Sequence, residues 1–296
     1  MIQNTKKDFR KAFVLPLSLA ISFIVFSFSV FLLKATGLLI DIREAMKKKV
    51  DLTAEMYSFI NYLNYNLLTA TYDCKSVYID NYRIPLNGKQ EKIKWPYLKD
   101  IEITIEIRDG NTFLLSRGLT EEVLRSILGE DEKSLSFIQS ILDWFDKNDA
   151  SRPYGAECEY YKNNGYSFCP RNSRAIQYKD ELKDVKAGYL FSRLSDCISD
   201  YSENKINLNT ANVNFIKSLS GVDISFFRKE NECINWEQLD DLPLKNREIF
   251  TIVPGKYLHI FVCLNYKSNP YIKVCSSYVL DRSMDHNVPI REFSIR

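Results

Sequence analysis

Oxygen ligands crowd one short stretch of this 296-residue chain. Leu142-Asp143-Trp144-Phe145-Asp146-Lys147-Asn148-Asp149 is followed, after five residues, by Gly155-Ala156-Glu157-Cys158-Glu159-Tyr160-Tyr161. The pattern predicts a helix that runs into Asp143 and Trp144, then a loop carrying Asp146, Asp149, Glu157 and Glu159, with Asn148 among them. Oxygens so placed could wrap a hard cation such as Ca²⁺, which takes six to eight oxygens, backbone carbonyls included. The spacing is not that of an EF-hand, because no twelve-residue loop of that kind is present. Acids and Asn are also ordinary loop formers that face water, and spacing alone leaves both readings open. Asp143 and Asp146 could in principle do acid/base work, but the sequence shows no second element or cleft to go with them.

Other chemistry has little to stand on. The chain has two histidines, His259 in an alternating segment and His286 in the polar tail. It has no Gly-x-Ser-x-Gly, phosphate-binding loop or zincin pattern, so an enzyme is not expected. The net charge of +2 is too small to point to nucleic acid or an anionic surface. Seven cysteines lie at 74, 158, 169, 197, 233, 263 and 275, with no Cys-x-x-Cys spacing, which leaves zinc and redox motifs unsupported. An exported domain can hold disulfides. Cys158 and Cys169 flank a short loop, Cys263 and Cys275 lie on two strand-like segments, and Cys197 and Cys233 flank a helical stretch. Those three pairs are expected, with Cys74 left over; buried free thiols are the alternative.

The elements that must position these residues start with the N-terminus. Lys6, Lys7, Arg10 and Lys11 precede a charge-free run over residues 12–33, closed by Lys34. That run is long enough to cross a hydrocarbon core as a helix, and its basic flank places the rest of the chain on the far side of the membrane. Apolar residues then recur at spacings of three and four from Leu38 to Leu68, which predicts an amphipathic helix continuing out of the membrane. Gly37 is the one weak point. A single helix over residues 13–68 is expected, and two helices broken at Gly37 are the alternative.

Beyond this stem, residues 76–79 and 101–107 read as strands, the second alternating strictly. Asp109-Gly110 is expected to turn the chain into a hairpin partner over residues 112–115. A second strand pair is expected at 259–264 and 271–279. Between them, residues 120–128, 135–145, 179–185, 192–199, 212–219 and 236–239 read as helices, with Thr120 and Thr210 near good starts. Strands early and late with helices between them indicate an α+β fold in which a helical block is inserted into a small sheet.

Leu-Asp-Trp-x-Asp-x-x-Asp, Gly-Ala-Glu with Tyr160-Tyr161, Pro170-Arg171-Asn172, Glu181-Leu182 and Ile206-Asn207-Leu208-Asn209-Thr210-Ala211 occur in the order and with the gaps of the K-type minor pseudopilins of type II secretion. The chain resembles that family over nearly its whole length. The resemblance implies a prepilin-type leader over residues 1–12, cut by a prepilin peptidase between Ala12 and Phe13. It implies a transmembrane helix over 13–34, a stem over 35–72, and a pilin-like antiparallel sheet from 73–118 and 251–296. The inserted α-helical domain, similar to a helix-hairpin-helix, would span 119–250. Bound calcium is implied, with Asp146, Asp149, Glu157 and Glu159 as candidate ligands. The implied partners are the I- and J-type minor pseudopilins, the pseudopilus and the inner-membrane secretion platform; the implied location is the inner membrane, single-pass, with the bulk of the chain periplasmic.

The chain departs from the family pattern at several points. Ala12 stands in place of the leader Gly, and Leu17 in place of the pilin Glu, which suits a subunit with none ahead of it. Lys186-Ala187-Gly188 is one residue longer than usual, and Cys158 and Cys169 are additions. A minor pilin of a type IV pilus or DNA-uptake system would share much of this pattern. In that reading residues 206–223 would contact DNA as a helix-hairpin-helix. Asp223 sits where phosphate would approach, and Lys217, Arg228 and Lys229 are offset by Asp223, Glu230 and Glu232. Local backbone bonds by Asn207 and Asn209 are therefore the preferred reading, and nucleic acid is not an expected partner.

Overall fold

The computed structural model describes residues 5–95, 97–170, 178–228, 232–283 and 290–295. Arg171 and Asn172 of the sequence pattern lie outside the described residues. Helix α1 (Thr5–Thr69) is a single helix of 65 residues that passes through Gly37 unbroken. At 1.5 Å per residue it is roughly 100 Å long. It carries an apolar window with mean hydropathy 2.3, none of it buried, long enough to cross a membrane. Ala12 and Phe13 both fall within this helix. Farther along, Leu52, Met56, Phe59, Ile60, Leu63 and Leu67 share one face and are buried, as a helix packed on one side requires.

Strands β1 (Thr71–Tyr72), β2 (Ser76–Ile79) and β3 (Tyr82–Pro85) form a small antiparallel sheet. Strands β4 (Glu91–Ile93) and β5 (Ile101–Asp109) begin a larger one. The chain then leaves the sheet through β6 (Leu114–Leu115), α2 (Glu121–Leu128), α3 (Glu132–Phe145), α4 (Cys158–Asn163), α5 (Phe191–Ser195) and β7 (Ile198–Ser199). It continues through β8 (Ile206–Asn207), α6 (Val213–Ser220), α7 (Trp236–Asp241) and β9 (Phe250–Thr251). It returns as β10 (Tyr257–Tyr266), β11 (Asn269–Asp281) and β12 (Ile290–Ile295), giving the five-stranded order β12-β11-β10-β5-β4. All pairings in this sheet are antiparallel. The fold is α+β: a long N-terminal apolar helix, antiparallel sheets and a helical insert.

Two separate cores result. In the first, the alternation of β5 puts Ile103, Ile105 and Ile107 on the face toward α1, opposite Leu264, Val262 and Ile260 of β10. In the second, Phe137, Ile138, Ile141, Trp144, Tyr161, Leu194 and Ile216 gather the insert around α3. Each fully buried aliphatic or Phe side chain contributes about 1.5–3 kcal/mol.

The orientation of β5 places the insert. Tyr266, at the end of β10 and opposite Ile101, points its hydroxyl at the Lys48 carbonyl, whereas Tyr278, opposite Ile260, bonds Asn64 at 2.8 Å. The start of β5 therefore lies nearer the apolar end of α1, and Asp109 lies at the far end. The insert leaves and rejoins the sheet there.

Residues 112–115 do not form the expected hairpin with β5. Asp109 accepts a bond from the Asn111 N–H and starts a 3-10 turn at Gly110–Thr112, so the chain bends off the sheet. Leu114 and Leu115 then pair in parallel with Ile198 and Ser199, while β5 has β10 and β4 as neighbours. The same pairing turns the end of the expected 192–199 helix into a strand.

Candidate metal centre

Helix α3 ends on its acids. Its start is fixed by Asp131, whose carboxylate accepts from the N–H groups of Lys133 and Ser134, and its buried face carries Phe137, Ile141 and Trp144. Asp143 lies in the last turn and Asp146 is the C-cap, three residues on, so the two acids meet at the end of the helix. Negative charge is unfavourable at a helix C-terminus, and Arg152 offsets it. Its Nη1 donates to Asp143 Oδ1 and, at 2.6 Å, to Asp146 Oδ2, while its backbone N–H reaches Asp143 Oδ2 at 3.2 Å. The loop between is tightened by Asn148, whose N–H bonds Asp146 Oδ1 and whose Oδ1 accepts from Ala150 N–H.

Gly155 lets the returning chain cross Asp143, because a Cβ there would overlap Asp143 Oδ2. Ala156 is fully buried, and Glu157 occupies the N-cap position of α4 at 4% exposure without a capping bond from its side chain. Carboxylate oxygens of Asp143, Asp146 and Glu157 all lie within 4.8 Å of one another. Both Glu157 oxygens are buried and make no hydrogen bond among the described residues. Burial first, then the negative charges of Asp143, Asp146 and Asp149, push Glu157 up to about 7, with Arg152 opposing.

The aromatic residues of this block are structural. Tyr161 is fully buried and meets Trp144 edge-on with ring centroids 5.5 Å apart. Its hydroxyl accepts from Lys186 N–H at 3.0 Å, and Lys186 Nζ bonds the carbonyls of Tyr154 and Gly155. The cluster is thus held between α3, the 147–156 loop, α4 and the turn at Lys186.

Of the four acids expected from sequence, Asp146 and Glu157 are in this cluster. Asp149 is exposed on the loop, and Glu159 points outward from α4. Asp143, which the sequence reading left out as a ligand, is fully buried within the cluster. Its three-residue spacing from Asp146 on a helix was the available signal. The donor set is all oxygen, which suits a hard divalent ion such as Ca²⁺ or Mg²⁺. One guanidinium balances one of three carboxylates, and an orphaned buried carboxylate costs stability unless something compensates it.

A second buried acid serves the junction of the two cores. Asp109, fully buried, accepts from Asn111 N–H at 3.0 Å, Gly255 N–H at 2.8 Å, Asn207 Nδ2 at 2.8 Å and Thr210 Oγ1 at 3.2 Å. Asn207 Oδ1 accepts from Asn209 N–H, and the Asn209 side chain bonds Ile234 N–H and the Ile252 carbonyl. The Asn-Thr-Ala segment is therefore an internal lock where the chain crosses from sheet to insert. The following turn is also internally capped: Asp223 accepts from Ser225 N–H and pairs with Lys217 at 3.2 Å.

Cys158 bonds Cys169, and Cys263 bonds Cys275 across directly paired strand positions. The expected Cys197–Cys233 pair is corrected. Cys233 bonds Cys74, with Cα atoms 6.1 Å apart, and staples the turn before β2 to the insert across 159 residues of sequence. Cys197 is the free thiol, and burial pushes it up to about 11. Its carbonyl accepts from Leu114 N–H as α5 gives way to β7, so residue 197 is held beside β6. The 74–233 contact is made by folding and has no trace in local spacing.

No protein-family model and no curated protein matches the chain by sequence. Among solved structures, the chain is similar to one from the crystal structure of the GspK-GspI-GspJ complex of the enterotoxigenic Escherichia coli type 2 secretion system. The identity is 13% and the TM-score 0.57, over 86% of this chain and 95% of that one. At that identity the likeness concerns architecture: the chain has a GspK-like pilin fold.

Proposed function

We propose that this chain is a K-type minor pseudopilin of a type II secretion system, a non-enzymatic subunit at the tip of the periplasmic pseudopilus that helps export folded proteins. The observation that carries the reading is the relation of α1 to the insert. None of the apolar window of α1 is buried, the sheet packs on the other end of the helix, and the insert attaches at the sheet end farthest from the apolar part. Such a subunit would anchor by the stem in the inner membrane and carry its bulk where a subunit ahead of it would otherwise stack. Its partners would be I- and J-type pseudopilins through parallel stems, together with the secretion platform. A prepilin peptidase would cut between Ala12 and Phe13.

Within this reading the cluster of Asp143, Asp146 and Glu157 holds a structural Ca²⁺. The two Glu157 oxygens, which make no hydrogen bond among the described residues, support this most directly. The ion would join the end of α3 to the start of α4 and supply positive charge where three acids converge. Asp149 could add an oxygen from the loop.

A DNA-uptake role draws no support from the Asn-Thr-Ala segment, since Asn207 and Asn209 are engaged internally. Co-expression with the I- and J-type subunits of the same system tests the assignment. A stable ternary complex on size exclusion is expected; a chain that elutes alone with both partners present would refute it. Mass spectrometry of the membrane-extracted protein is expected to show Phe13 as the N-terminus, and an intact leader in the assembled form would exclude processing.

A further inference from the structure

We propose that Arg152 is an internal cation that exchanges with the metal: its guanidinium holds the acids together in the ion-free protein and swings into solvent when a divalent cation binds. This rests on the metal reading above and adds what sets the affinity of the site.

The geometry makes the two cations exclusive. Arg152 Nη1 sits between Asp143 Oδ1 and Asp146 Oδ2, bonded to both, with the Asp146 contact at 2.6 Å. Calcium–oxygen bonds are about 2.3–2.6 Å long. An ion bridging these two carboxylates would need the position that Nη1 occupies. The guanidinium nevertheless leaves the third acid unserved: Glu157 belongs to the same 4.8 Å cluster, and its buried oxygens receive no hydrogen bond among the described residues. Arg152 therefore satisfies two carboxylates, whereas an ion at the centre would engage three.

Exit of the side chain is open. The Arg152 side chain is 34% exposed, in contrast to the fully buried Asp143, and it enters from the loop side. Its backbone N–H stays on Asp143 Oδ2, so the loop can keep its course while the guanidinium turns out. Charge-assisted bonds of this kind are stronger than neutral ones, so an incoming ion must displace a real competitor. The site would then bind calcium more weakly than its acids alone would.

Calcium titration by calorimetry on the full chain in detergent, stripped with EGTA, tests this for wild type, Arg152→Gln and Arg152→Lys. R152Q is expected to bind about tenfold tighter or more, equivalent to ~1.4 kcal/mol, and R152K to bind close to wild type. In EGTA, R152Q is expected to melt below wild type, and calcium to bring the two level. If wild type and R152Q bind equally, or R152Q binds more weakly, the exchange is wrong while the metal reading stands. If R152K tightens as much as R152Q, charge competition is wrong. If none of the three binds calcium, the metal reading itself is wrong, and the exchange falls with it.

Discussion

Asp109 and Glu157 are both carboxylates withdrawn from water, at 0% and 4% exposure, yet Asp109 accepts four hydrogen bonds and Glu157 accepts none among the described residues. Asp109 stands at the crossing of the sheet and the insert, with amide and hydroxyl donors from three separate segments pointed at it. Glu157 stands at the start of α4 with two further acids for company. A buried anion with a full set of donors is a structural lock. One that accepts no hydrogen bond among the described residues and sits among like charges is costly to ionise, a cost that a bound cation would relieve. The same residue class thus marks a joint in one half of the molecule and, in the metal reading proposed above, a ligand in the other.

The sharpest way to break this contrast is to remove Asp109. Asp109→Ala would leave the donors of Asn207, Asn111 and Gly255 buried and unsatisfied, with an expected cost of about 3–5 kcal/mol. Chemical denaturation of the full chain in detergent should show this loss equally in calcium and in EGTA. A calcium-dependent loss would mean that the two sites are not separate.

Glu157→Gln should act in the opposite sense. The folded value of Glu157, about 7, lies above the ordinary 4.5. Ionisation is therefore disfavoured in the folded state, and its stability cost grows as pH rises from about 4.5 through 7. In EGTA at pH 8, E157Q is expected to be more stable than wild type by about 1–3 kcal/mol, with a flatter profile over that window. In calcium the advantage should vanish or reverse. Equal stability of the two proteins in EGTA across the window would remove Glu157 from the account.

His259 gives the smallest expected effect and a control on the sheet side. Burial is the main cause that holds it down at about 4; its ring packs edge-on to Phe113, and Nε2 lies 3.0 Å from the Tyr201 carbonyl. A histidine depressed on folding contributes stability fully above its unfolded value near 6.5, lost as pH falls toward 4. His259→Phe should flatten the acid limb between pH 6.5 and 4 by on the order of 1–2 kcal/mol. A wild-type acid limb unchanged in the variant would contradict this placement.

How much of this could be read from sequence follows from the range of each interaction. The stem, the alternating strand over 101–107 and the helix start at Thr120 depend on near neighbours, and periodicity and capping show them; the start expected near Thr210 is capped by Asn212 instead, because the Thr210 hydroxyl donates to Asp109. The acid loop was visible because its carboxylates are close in sequence. Its membership was not, because the turn of α3 that buries Asp143 and the Gly155 crossing that carries Glu157 over it are set by packing. Glu159, two residues from Glu157, falls on the other side of the first turn of α4 and is exposed. The partners of Asp109 and of Cys74 are farther away still, at Asn207 and at Cys233, and no local pattern predicts them. The hairpin expected after Asp109 failed for the same reason: its carboxylate is claimed by residues about a hundred positions on.

The most direct measurement is the melting temperature of full-length protein in detergent, in calcium and in EGTA, for wild type beside E157Q. A ligand present at 100 times its Kd stabilises by ~2.7 kcal/mol, so calcium should raise the wild-type melting temperature by several degrees and leave that of E157Q nearly unmoved. A wild-type value that is the same in calcium and EGTA would contradict the proposal that Glu157 is a metal ligand.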